Sequence, residues 1–83
     1  MPYEVQVAES AAKEMRGLAF TRQEPLLNRL RKDLSERPEE AGTALRGALR
    51  KYRVIVQPAT YAVVYRIDEQ TQTVQILQVR VVM

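Results

Sequence analysis

The sequence predicts an α+β fold in which two N-terminal helices pack on an antiparallel β-sheet, in the order β-α-α-β-β-β. Three observations predict it: a short alternating segment at the start, two amphipathic stretches with apolar residues three and four apart, and a second half rich in Val, Ile and Tyr. With 83 residues, the chain has room for one hydrophobic core. We therefore expect a single domain over residues 1–83.

The N-terminal half begins with a strand and continues with a helix. Tyr3, Val5 and Val7 alternate with polar residues, which is typical of a half-buried strand. From about Ser10, helical spacing takes over in a set of apolar residues, namely Ala11, Ala12, Met15, Leu18 and Ala19. These segments predict a short strand followed by a short amphipathic helix.

A second helix is predicted from its start signals. Thr21 is a candidate N-cap, Glu24 completes a capping box, and Pro25 falls in the first turn. The apolar stripe that follows comprises Leu26, Leu27, Leu30 and Leu34. Pro38 and Gly42 end the helix, so the two helices form a hairpin.

The second half predicts three consecutive strands, at residues 52–57, 61–67 and 74–82, with short turns between them. Strand alternation separates two faces. Tyr52, Val54 and Val56 form one side of their strand, and Tyr61, Val63, Tyr65 and Ile67 form one side of the next. We expect these apolar sides to face the helices, which leaves Arg53 and Arg66 on an open face.

Charge is unevenly distributed along the chain. Residues 1–41 carry 7 Lys/Arg against 8 Asp/Glu, whereas residues 42–83 carry 6 against 2. No acidic residue lies between Glu40 and Asp68, while Arg46, Arg50, Lys51, Arg53 and Arg66 do. The second half therefore suits a polyanion or an acidic protein, although a solvated basic surface would have the same composition.

Composition restricts the chemistry. The chain has no Cys and no His, which excludes disulfides, thiolate catalysis and the usual metal ligands. We expect no metal and no cofactor, and any catalysis must use Arg, Lys, Tyr, Asp or Glu. No signal-peptide pattern and no apolar run long enough to span a bilayer occur, so we expect a cytoplasmic protein without membrane contact.

The order of several short motifs resembles the RelE/ParE toxin superfamily over nearly the whole chain. These are an opening Tyr-x-Val, the helix segment at residues 11–15, the Leu-x-Gly step at residues 45–47, and Tyr-Ala-Val-Val-Tyr-Arg-Ile-Asp at residues 61–68. The resemblance implies a toxin of a bacterial type II toxin-antitoxin system, partnered by a cognate acidic antitoxin. It leaves open whether the chain forms a homodimer.

The resemblance allows three activities. RelE-like members cleave messenger RNA in the ribosome through the messenger's own 2′-hydroxyl, ParE-like members inhibit DNA gyrase without chemistry, and a degenerate member would only bind its antitoxin. For the first, which we favour, the implied RNA-binding residues are Arg46, Arg50, Lys51, Arg53, Arg66 and Arg80. The catalytic candidates are Arg46 and Arg53 for phosphate charge, with Lys51 and Tyr61 for proton transfer.

Two departures from the RelE pattern weigh against nuclease activity. Ala62 stands where RelE-like nucleases carry an arginine, and Val81 and Val82 stand where they carry a basic residue. Arg66, on the same predicted face as Ala62, is a candidate to compensate.

Overall fold

The computed structural model describes residues 2–82 and confirms the predicted α+β fold. Met1 and Met83, the ends of the predicted domain, lie outside the described residues. The elements are β1 (Glu4–Val7), α1 (Glu9–Arg16), α2 (Phe20–Glu36), α3 (Pro38–Ala41), β2 (Thr43–Arg46), β3 (Leu49–Val56), β4 (Ala59–Asp68) and β5 (Thr73–Val81).

The five strands form one sheet in the order β1-β5-β4-β3-β2. Neighbours from β5 to β2 are antiparallel, whereas β1 lies parallel to β5. The turn between β2 and β3 has two residues, and Gly47 is its first, with φ of 56°. This left-handed conformation suits glycine in a tight hairpin.

The core lies between the helices and one face of the sheet. Leu26, Leu30 and Leu34 of α2 are fully buried, as their four-residue spacing predicts. They belong to one apolar cluster with alternate residues of the strands, which are Val54, Tyr61, Val63, Tyr65, Val74, Ile76 and Val79. The apolar sides predicted for the strands at residues 52–57 and 61–67, which are β3 and β4 of the structure, therefore do face the helices.

The predicted start of the second helix is wrong in two respects. α2 begins at Phe20 with Ala19 as its N-cap, and no side chain caps it, so Thr21 and Glu24 do not form a capping box. Pro25 lies inside α2 rather than in its first turn. Because proline has no N–H, the carbonyl of Thr21 loses its helical partner at that point.

The second half also contains a fourth strand, which the sequence analysis did not predict. Residues 43–46 form β2 at the edge of the sheet, after the short helix α3, and all four are exposed. Gly42 allows the close approach of this segment to β3, since a Cβ there would overlap the carbonyl oxygen of Lys51 and lie 2.7 Å from Tyr65 Oη. Among residues 2–82, no helix is long and apolar enough to cross a membrane.

Candidate nucleic-acid-binding face

The sheet face turned away from the helices, called here the outer face, carries a group of basic residues. Strand alternation places them there. Each has neighbours along its own strand that enter the core, or pairs across the sheet with a residue of this face. They are Arg46 of β2, Lys51 and Arg53 of β3, Arg66 of β4 and Arg80 of β5.

Two of these arginines flank one small residue across three strands. Arg53 pairs with Ala62, and Ala62 pairs with Arg80. Since neighbouring strands lie about 4.8 Å apart, the two arginine backbones are separated by roughly 10 Å. The methyl group of Ala62 leaves room between them, so two long guanidinium side chains can reach one anion lying above Ala62.

A shallow groove of about 520 Å³ adjoins this row. Lys51 and Arg53 line it together with the aliphatic residues Leu45, Ala62 and Val64. Cations beside an aliphatic floor suit a nucleic-acid strand, because phosphates can meet the charges while sugars lie over the apolar surface.

The basic residues of the outer face differ in their existing partners. Arg46, Lys51 and Arg53 make no side-chain hydrogen bond or ion pair with any other residue in the range 2–82. Arg66 Nη2 donates to Gln75 Oε1 at 2.9 Å, and Arg80 Nε lies 3.4 Å from Glu14 Oε2. The cations at Arg46, Lys51 and Arg53 are thus available to a ligand.

Acidic and basic residues occupy different rows of the outer face along its strands. At one end, Glu4 and Asp68 both pair with Thr73, which places two carboxylates in one row. The row containing Arg53 and Arg80 lies several residues further along the same strands. The row of Arg53 and Arg80 is therefore the part of this face where the two carboxylates least oppose binding of an anion.

Arg50 lies on the other face of the sheet, contrary to its predicted place beside Arg53. It pairs with Tyr65, a core residue, and its Nη2 donates to the carbonyls of Glu39 at 2.5 Å and Gly42 at 2.8 Å. Nη2 of the guanidinium is thus occupied by the backbone around α3. Arg50 is for this reason a structural residue and is separated from the outer face by the sheet.

Tyr61, predicted as a proton-transfer candidate, is fully buried in the core. Its hydroxyl has no hydrogen-bond partner within residues 2–82 and does not reach the outer face. Tyr52 is also on the helix side: burial, followed by its hydrogen bond to Asp33, raises the pKa of its hydroxyl. Of the two predicted proton-transfer residues, only Lys51 lines the groove.

Arg66 shares the outer face with Ala62, as the alternation predicted, but does not lie beside it. It pairs with Leu49 and Gln75, four residues away from Ala62 along β4. Arg80 lies directly opposite Ala62 instead. Alternation of Arg80 with Val79 and Val81 could have indicated its face, but its register required the bulge between β4 and β5, which adds one residue to β5.

The sequence matches no protein-family model and no curated protein. Solved structures are similar over nearly the whole chain. A toxin-antitoxin complex of the RelBE type from Mycobacterium tuberculosis has a chain with 27% identity and a TM-score of 0.84, covering 99% of this chain and 100% of that one. A double Arg→Ala mutant of the E. coli toxin RelE in the free state has 31% identity and a TM-score of 0.72, covering 95% and 82%.

The archaeal RelE-RelB complex from Pyrococcus horikoshii, at 21% identity, a TM-score of 0.66 and coverage of 98% and 96%, shows the same fold. The described residues thus define a small α+β domain with a basic outer face over a shallow groove. This chain belongs to the RelE/ParE toxin superfamily.

Proposed function

We propose that this toxin is a RelE-like endonuclease that cleaves messenger RNA in the ribosome and binds RNA phosphates through its outer face. The observation that carries the proposal is the row Arg53–Ala62–Arg80: Arg53 lines the groove together with Lys51, and Arg80 lies across Ala62 from Arg53. The identity of 31% to the E. coli toxin RelE supports it. A ribosomal target implies a cytoplasmic location.

The proposed chemistry is attack of a ribose 2′-hydroxyl on the adjacent phosphorus. The 2′-oxygen gives its proton to solvent water and bonds to phosphorus while the bond to the 5′-oxygen breaks. The products are a 2′,3′-cyclic phosphate and a 5′-hydroxyl, since the 5′-oxygen leaves with a proton. Arg53 and Arg80 would stabilise the negative charge that accumulates on the phosphate oxygens, since guanidinium groups bind phosphate in bidentate fashion. The ammonium of Lys51 would supply the proton to the leaving oxygen.

We further propose that an acidic antitoxin holds the toxin inactive. The similar structures from M. tuberculosis and P. horikoshii are toxin-antitoxin complexes. The unpaired cations of the outer face and the exposed edge strand β2 offer such a partner charge and backbone hydrogen bonds.

The test uses purified ribosomes that carry a defined messenger, with RNA 5′ ends mapped after the toxin is added. We expect cleavage by the unmodified chain and a loss of about a hundredfold in rate for Arg53→Ala and for Arg80→Ala. Arg22→Ala is the matched control, because Arg22 is exposed on α2 and its loss changes the net charge equally. Intact messenger with the unmodified chain would refute the nuclease proposal.

One observation favours a second candidate, a ParE-like inhibitor of DNA gyrase that performs no chemistry. Within residues 2–82, the groove has Lys51 but no second proton-transfer group, since Tyr61 is buried and Tyr52 faces α2. Supercoiling by purified gyrase, measured with the same protein preparation, distinguishes the two: inhibition together with intact messenger would favour the gyrase target.

A further inference from the structure

Glu14 of α1 contacts the C-terminal part of β5. This part of β5 has β4 on one side and no strand on the other. β1 pairs with β5 only as far as Ile76, and α1 lies along the remainder. There, Ser10 Oγ donates to the carbonyl of Leu77 at 2.8 Å and the N–H of Val79 donates to Glu14 Oε1 at 2.9 Å. One carboxylate oxygen of Glu14 is in this way fixed to the backbone of β5.

The other oxygen of the same carboxylate meets Arg80. Glu14 Oε2 lies 3.4 Å from Arg80 Nε, with the Glu14 side chain 31% exposed and that of Arg80 66% exposed. With the amide oxygen of Gln78 assigned toward the guanidinium, Gln78 accepts from Nε at 3.1 Å and from Nη2 at 2.7 Å. Both contacts hold the Nε side of the guanidinium and leave Nη1 without a partner among residues 2–82.

We propose that Glu14 is a positioning residue, which holds the Nε side of Arg80 so that the terminal nitrogen Nη1 remains free for a phosphate above Ala62. This inference rests on the proposed nuclease function. The Val79 hydrogen bond prevents the carboxylate from swinging away from the strand that carries Arg80. A long, exposed arginine is thereby restricted before RNA arrives, which lowers the conformational cost of the phosphate contact.

Glu14→Gln separates charge from backbone support, because the amide oxygen can still accept the Val79 N–H while the ionic contact with Arg80 is lost. Glu9→Gln is the matched control: Glu9 is on the same helix, its removal changes the net charge equally, and it pairs with Arg16 at 3.5 Å. For Glu14→Gln we expect cleavage at saturating ribosomes to fall about tenfold, with binding of a single-stranded RNA oligonucleotide unchanged or tighter. A purely structural role would weaken both.

A second readout does not depend on cleavage. Nitrogen-15 NMR measures the exchange of the Arg80 Nε–H with water, which we expect to be slow in the unmodified protein and in Glu9→Gln and at least several-fold faster in Glu14→Gln. Fast exchange in the unmodified protein would overturn the inference. So would equal or faster cleavage by Glu14→Gln, the result expected if Glu14 competed with phosphate for Arg80. If the unmodified protein cleaves nothing, the proposed function fails and the exchange rates still decide whether Glu14 holds Arg80.

Discussion

Arg50 and Arg53 lie three residues apart on β3 and belong to opposite faces of the sheet. Arg50 is in contact with two backbone carbonyls on the helix side, whereas Arg53 has no side-chain partner within residues 2–82. Two further polar groups on the helix side are engaged: Tyr65 donates to the carbonyl of Pro38 at 2.5 Å, and Tyr52 donates to Asp33.

Identical side chains on one strand thus differ with the face they occupy: Arg50 is bound by the protein's own backbone, and Arg53 is available to a ligand. A buried polar group is stabilised by a partner inside the protein, because leaving it unpaired costs about 1–3 kcal/mol. An exposed guanidinium is hydrated and can exchange water for a ligand. The helix side should therefore respond to substitution through stability, and the outer face through binding.

The largest expected difference between the two faces is in the free energy of unfolding when an apolar side chain is shortened. Leu30→Ala removes a fully buried side chain and should lower the free energy of unfolding by about 2–5 kcal/mol. Ile55→Ala on the outer face, where Ile55 is 60% exposed, should lower it by less than about 1 kcal/mol. Urea denaturation followed by circular dichroism measures both, and equal losses would contradict the assignment of the two faces.

The arginine pair provides the next test. Arg50→Ala removes the donor to the Glu39 and Gly42 carbonyls, so the free energy of unfolding should fall by about 1–3 kcal/mol. Arg53→Ala should change it by no more than about 0.5 kcal/mol. Thermal and urea unfolding of the two variants, which have the same net charge, compare them directly. A larger loss of stability for Arg53→Ala would reverse the roles.

The smallest effect concerns Tyr52 and depends on pH. Burial and the hydrogen bond to Asp33 raise the pKa of its hydroxyl above the ordinary value of 10.0, so its stabilisation is complete below about pH 10 and is lost as pH rises further. Tyr52→Phe keeps the ring and should cost about 1 kcal/mol at neutral pH. The difference from the unmodified protein should shrink above about pH 10, as measured by urea unfolding at several pH values. A gap that widens with pH would contradict this sign.

Local patterns in the sequence were sufficient for the helices, most of the strands and the facing of their side chains. The period-two alternation at Tyr52, Arg53 and Val54 assigned the correct faces, since a strand has only two. Residues 43–46 were missed because Ala and Leu favour helix, and their strand forms only through pairing with β3. Such pairing is decided by tertiary contacts.

The candidate site was only partly predictable for the same reason. The sequence indicated a basic surface and included Arg53 and Arg80, but the row that joins them through Ala62 depends on register across three strands and on a bulge. Arg50 was assigned to the wrong face because the predicted strand began at residue 52, whereas β3 begins at Leu49. Glu14 is 65 residues from Val79 and has no local signal for that contact.

The parallel pairing of β1 with β5 constrains when this chain can fold during its own synthesis. Residues 4–7 must wait for residues 73–76 to emerge before the sheet is complete, so the longest loop in the fold closes last. Until then, α1 has no strand to cover and Glu14 has no Val79 to bind. A nascent chain cannot assemble the Arg80 side of the outer face until residues 73–80 have emerged from the ribosome.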